Sequence, residues 1–250
     1  MLGKMNLYPI LVSIAAFVST FLGGLLATKH REQVGRFAAF SAGVLIAVPL
    51  FDLLPETLRL ATQAQVPLEN VMYLTALGFI FLYVLERYFS VHRVCEDGVC
   101  HNVRHSRGGL LGAAELSAHS FVDGFAIGLG FQVDVHVGII ITVAVIFHDF
   151  ADGINTVTVM MNSGNSLKSS LRMLLLDAIA PVLGAASTVL IAVPERALIY
   201  ILPFFAGGFL YLGASDLLPE AHEKNPPAVS LVLSLAGFLL IFLITRFLNV

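Results

Sequence analysis

The chain has 250 residues, 57% of them hydrophobic and only 12% charged, with a formal net charge of −3 and a mean hydropathy of +0.87. A soluble domain of this size does not carry that balance, so the sequence reads as an integral membrane protein whose solvent is the lipid bilayer; no nucleic-acid partner is expected, and the net charge itself says little about partners because in a membrane protein its placement matters more than its sum. Cys95 and Cys100, the only two cysteines, share one loop, which excludes a disulfide framework.

Eight apolar windows follow, each about long enough for a helix of roughly 20 residues to cross the hydrocarbon. The first, at 8–28, follows only Lys4. Its run is too long for the core of a signal peptide and no A-x-A site closes it, so it is expected to remain as a helix. The second, 37–57, ends in Asp52-Leu53-Leu54-Pro55-Glu56, and the third covers 71–89. A loop at 90–108 then carries His92, Cys95, Glu96, Asp97, Cys100, His101 and His105. Its C-x4-C spacing is not that of a zinc knuckle; it reads either as a loop that binds metal transiently through thiols and imidazoles or as a basic linker.

The fourth window, 109–131, contains His119-Ser120-Phe121-Val122-Asp123-Gly124, and the fifth, 137–160, contains His148-Asp149-Phe150-Ala151-Asp152-Gly153. An i,i+4 spacing puts each His and its Asp on one helix face, where two side chains can share one metal ion. No Lys or Arg occurs between Arg107 and Lys168, while Glu115, Asp123, Asp134, Asp149 and Asp152 do. Buried carboxylates without a counter-charge must be protonated or meet a cation. Histidines among them favour Zn²⁺ and its first-row neighbours over Ca²⁺ or Mg²⁺. Glu115, one turn before His119, can orient that ring or serve the ion pathway, or it is a solvated helix end. Gly124 and Gly128 form a G-x-x-x-G that lets this helix approach a neighbour closely.

The sixth window, 171–193, holds Asp177 one turn before Pro181, a further buried acid that can complete the shell. The seventh and eighth are 197–217 and 228–248. Asp52, Glu56, Asp216, Glu220 and His222 lie near the ends of the second and seventh helices, as vestibule ligands or as solvated acids.

The copy of Ala42-Gly43 and Asp52-Leu53-Leu54-Pro55-Glu56 in Ala206-Gly207 and Asp216-Leu217-Leu218-Pro219-Glu220 falls at one constant offset. Gly78 to Arg87 is echoed by Gly237 to Arg246. An odd number of spans separates the copies, so they run in opposite directions, and the expected architecture is all-α: eight transmembrane helices as 3+2+3, with helices 1–3 and 6–8 as inverted repeats in one domain over 1–250. The loops alternate sides, and ten of the 14 Lys and Arg fall on the side of the 90–108 loop. That asymmetry places this loop in the cytoplasm and both termini outside.

Inverted repeats around a mid-membrane polar site suit a secondary transporter, here of divalent transition-metal cations, with no catalytic cofactor. An intramembrane zinc-dependent hydrolase using the same His and Asp residues, or a metal sensor resting on the loop, are the competing readings. At the motif level the chain resembles the ZIP family of metal transporters over nearly its whole length. That family's fourth helix carries H-[NS]-x-x-[DE]-G, matched by His119, Ser120 and Asp123, and its fifth carries H-x-x-x-E-G, matched by His148, Asp149 and Asp152. The resemblance implies uptake of zinc, or of iron, manganese or cadmium, across a cell membrane by a protein that can form homodimers. It further implies a two-metal site, with His119, His148, Asp149 and Asp152 on one ion and Ser120, Asp149, Asp152 and Asp177 on the other. Asp152 stands where the family usually has Glu, Phe150-Ala151 where Ile-Pro is common, and Ser120 where Asn is frequent.

Overall fold

A computed structural model describes residues 7–28, 34–90, 95–96, 99–100, 106–191 and 193–248. Its helices are α1 (Tyr8–Ala27), α2 (Val34–Val48), α3 (Leu54–Gln63), α4 (Leu68–Ser90), α5 (Ser106–Val133), α6 (Val135–Asn162), α7 (Leu167–Val189), α8 (Glu195–Tyr211), α9 (Leu218–Lys224) and α10 (Pro227–Leu248). Local sequence sets several boundaries. Pro9 occupies the first turn of α1, where its missing N–H costs nothing. The side chains of Asp134 and Ser166 cap α6 and α7 by accepting from the backbone N–H of His136 and Ser169.

α2 and α3 join through a π-helical segment, Pro49–Leu53, and α8 and α9 through another, Leu212–Leu217. In each the wide i→i+5 bond falls just before the proline of L-P-E: the N–H of Leu54 donates to the Pro49 carbonyl and that of Leu218 to the Gly213 carbonyl. Pro55 and Pro219 supply no N–H for the next regular bond, so the ladder widens ahead of them. The repeated D-L-L-P-E therefore produces the same bulge twice.

Among the described residues, seven helical units are long and apolar enough to cross a membrane: α1, α2–α3, α4, α6, α7, α8–α9 and α10. The eighth, α5, has 28 residues and ample length. Its apolar average is lowered by Glu115, His119, Asp123 and its glycines, the residues that make it chemically interesting. The protein is an all-α, multi-pass membrane protein. The 90–108 loop contributes a two-residue antiparallel pair, Cys95–Glu96 with Val99–Cys100, which helix-only reasoning did not anticipate. His92, His101 and His105 lie outside the described residues, and only the backbone of the two cysteines is described.

The packing follows the repeat. α1 lies on α6 as α7 lies on α5, and α2 lies on α10 as α8 lies on α4. Exchanging the first three spans for the last three, and the fourth for the fifth, preserves every one of these pairs. Four reciprocal glycine crossings fasten them. A Cβ on Gly23 would strike the Phe150 backbone and one on Gly153 that of Thr20; Gly124 and Gly184 meet Pro181 and Phe121 in the same way. Gly43 with Gly237, and Gly78 with Gly207, do likewise for α2–α10 and α8–α4. Without a hydrophobic drive between helices in lipid, backbone approach of this kind is what holds helix pairs together. Two groups result: α1, α5, α6 and α7, and α2–α3, α4, α8–α9 and α10. Between them runs an aromatic seam, with Phe37 on Phe150 at 4.4 Å and Phe40 on Phe147 at 4.9 Å between ring centroids.

Candidate metal centre

α5 and α6 are separated by Asp134 alone, so the two helices form a tight hairpin. Gly130 and Gly138 flank the elbow, and any Cβ there would meet the opposite arm. His119 and His148 stand nearly the same number of residues before and after Asp134, and at 1.5 Å of rise per residue both lie about 21–22 Å from the turn. The hairpin thus levels the two motifs.

The result is a compact cluster. One ligand atom from each of His119, Asp123, His148 and Asp152 lies within 4.8 Å of every other. Asp123 Oδ2 is 3.2 Å from His119 Nε2 and 3.3 Å from His148 Nε2, and Asp149 Oδ1 is 3.4 Å from His148 Nε2. Asp123, His148, Asp149 and Asp152 are buried, whereas the His119 side chain keeps 20% of its surface exposed. His119 is therefore the accessible edge of the cluster.

His148 Nδ1 lies 2.9 Å from the Ala144 carbonyl. A carbonyl only accepts, so Nδ1 carries a proton and Nε2 is the ring atom left facing the carboxylates, free to ligate when the ring is neutral. Two hydroxyls from neighbouring helices pin the α6 backbone just before this ring: Ser19 Oγ donates to the Ile146 carbonyl at 2.5 Å and Ser41 Oγ to the Phe147 carbonyl at 2.7 Å. Asp123 Oδ2, His148 Nε2, Asp149 Oδ1 and Asp152 Oδ2 are all buried without a hydrogen-bond donor or acceptor among the described residues. Buried polar atoms are nearly always satisfied. Four orphans facing one another form a donor set of imidazole nitrogen and carboxylate oxygen, the chemistry that a transition-metal dication accepts.

The remaining acids behave differently. Both Asp177 oxygens are engaged, Oδ1 by Ser120 Oγ and Oδ2 by Thr156 Oγ1, each at 2.7 Å. Asp149 Oδ2 lies 3.3 Å from Thr20 Oγ1, a hydroxyl that also reaches the Ala16 carbonyl at 3.0 Å. The structure therefore groups Asp123 with the two histidines and Asp152, sets Asp149 beside them, and ties Ser120 and Asp177 into a hydrogen-bonded knot. Glu115 is half-buried on α5, Asp52 is buried at the end of the second span, and Asp216 and His222 are exposed. Glu220 is ion-paired with Lys224. Sequence reasoning missed Thr20 and Thr156; each sits three residues from a glycine at a close crossing, and that spacing is the one signal they carry.

The fold and this centre define a multi-pass helical membrane protein with a buried His/Asp cluster of metal-binding composition. The family model described as ZIP zinc transporter matches residues 104–245, more than half of the chain, and the chain belongs to the ZIP family. It is 35% identical over 139 residues to "Zinc transporter SLC39A7" of Rattus norvegicus, covering 52% of this chain and 30% of that protein. It is 33% identical over 142 residues to the Homo sapiens protein of the same name, with the same coverage of 52% and 30%. "Zinc transporter ZIP13" of Pongo abelii is 25% identical over 264 residues, covering 100% of this chain and 77% of that one. The match thus spans about a third of the length of the first two relatives, and all three are named as transporters, not enzymes.

Proposed function

We propose that this chain carries divalent transition-metal cations, zinc first among them, across a cell membrane into the cytoplasm. The single observation that bears most weight is the set of four buried, unsatisfied ligand atoms on Asp123, His148, Asp149 and Asp152. In this reading one ion sits among His119, Asp123, His148 and Asp152, with Asp149 Oδ1 beside it. A second ion would have to displace the Ser120 and Thr156 hydroxyls from Asp177. Iron, manganese and cadmium accept the same donors, and affinity alone does not rank them.

The cation arrives from outside, exchanges water for the central ligands, and leaves inward when the group holding α5 and α6 shifts against the other group. The charge asymmetry of the loops supports outside termini and a cytoplasmic 90–108 loop. The inside-negative potential favours inward movement by about 2.3 kcal/mol per charge per 100 mV. A homodimer follows from the family resemblance. The packing symmetry favours a carrier over the hydrolase, because a hydrolase has no use for two exchangeable halves.

The test is zinc uptake into proteoliposomes loaded with a metal-sensitive dye, comparing the wild type with His119→Ala and Asp152→Ala. Saturable uptake, lost in both variants, is expected. Lipid turnover without metal movement would replace the carrier with the hydrolase.

A further inference from the structure

A second polar cavity, of about 380 Å³, opens beside the elbow of the α5–α6 hairpin and is distinct from the central cluster. Asp52, Glu56 and Arg59 line one wall, and Asp134 and His136 of the elbow line the other. Asp52 is only 6% exposed, and its Oδ2 has no hydrogen-bond partner among the described residues. Arg59 pairs with Glu56 across the cavity wall, with Nε donating to Oε2 at 2.7 Å and the second nitrogen to Oε1 at 2.5 Å. Asp134 spends one oxygen on the α6 cap, accepting from His136 N at 2.8 Å. Three carboxyl groups, those of Asp52, Glu56 and Asp134, thus face one guanidinium and one imidazole, an acid-rich lining.

We propose that this cavity is an outer site for a hydrated divalent cation, held by Asp52, Asp134 and His136. The central cluster is, among the described residues, the one group of three or more such side chains drawn close enough to bind an ion directly. The cation in the cavity therefore keeps its water. An ion with six waters occupies roughly 200 Å³ at about 30 Å³ per water, which the cavity accommodates. Asp52 belongs to one helix group and Asp134 and His136 to the other, so the ion bridges the two at this face and screens two carboxylates that otherwise repel. Under the transport reading, on which this role rests, the site concentrates cations at the outer mouth of the path.

The experiment uses the full-length protein in detergent and in proteoliposomes, with Zn²⁺ as the probe. Titration should find a weak ion in addition to the tightly held central one. Asp52→Asn should remove the weak ion and leave the tight one unchanged. Asp134→Asn should do the same, because an asparagine oxygen preserves the α6 cap. In proteoliposomes both variants should raise KM about 5- to 10-fold with kcat nearly constant, and added salt should narrow the gap by screening. A wild type with no weak ion, an unchanged KM, or loss of the tight ion in Asp52→Asn would overturn the proposal. Binding is measured without flux, so a failure of transport leaves the ion count to decide this site separately.

Discussion

Asp123 Oδ2 lies 3.3 Å from His148 Nε2, joining consecutive helices at a depth where neither group meets bulk water. The same oxygen is 3.2 Å from His119 Nε2. One carboxylate therefore stands between two imidazoles that belong to opposite arms of a hairpin. That arrangement turns two separate i,i+4 pairs into one site.

Asp123→Asn keeps the shape and removes the charge at the centre of the cluster. Zinc affinity should fall by more than about 100-fold, because partners one step further from an ion already cost about 10- to 100-fold when lost. Competition against a chelating dye measures this directly. An affinity equal to that of the wild type would put Asp123 outside the coordination sphere.

Protons compete with the metal for the Nε2 atoms. Neutral imidazole ligates and protonated imidazole does not, so zinc binding should weaken as pH falls, by up to about tenfold per unit for each ring that must deprotonate. Zinc affinity measured between mildly acidic and neutral pH should show this decline. A flat profile would mean that oxygen ligands alone hold the ion.

The knot around Asp177 makes a prediction about stability. Ser120→Ala and Thr156→Val each remove one of its two hydroxyl donors and should destabilise the metal-free protein by about 1–3 kcal/mol. A lowered Tm in detergent is the readout. An unchanged Tm in both variants would show that the carboxyl group is satisfied in another way.

The glycine crossings can be tested by size. Gly124→Ala drives a methyl group into the backbone at Pro181 and should destabilise by about 1–3 kcal/mol, the usual range for overpacking. Gly208→Ala meets only the flexible end of Leu82, at 3.1 Å, and should leave the Tm close to that of the wild type. Equal effects at the two positions would argue against close backbone packing as the source of helix pairing.

Much of this arrangement is legible in the sequence because it rests on local spacing. His119 to Asp123 and His148 to Asp152 fix a helix face without any tertiary knowledge, and the doubled D-L-L-P-E marks the repeat and its paired bulges. The match between the first and sixth spans is faint in the sequence, since a single glycine in each, Gly23 and Gly184, carries the equivalence within interchangeable aliphatic residues. The partition of the acids is likewise a long-range matter. Whether Asp123 or Asp149 stands between the histidines depends on how α5 and α6 rotate against each other, and Asp177 is engaged by Thr156 from another helix. No spacing rule within one helix encodes those choices.

If the ion binds between α5 and α6, zinc K-edge X-ray absorption on the purified protein loaded with one equivalent of zinc will show it in the ligand shell. A shell of nitrogen and oxygen at about 2.0–2.2 Å is expected, with imidazole scattering that weakens in His148→Ala. A sulfur shell at about 2.3 Å that is unchanged in His148→Ala would place the tightly bound ion on the cysteines of the 90–108 loop and contradict binding between α5 and α6.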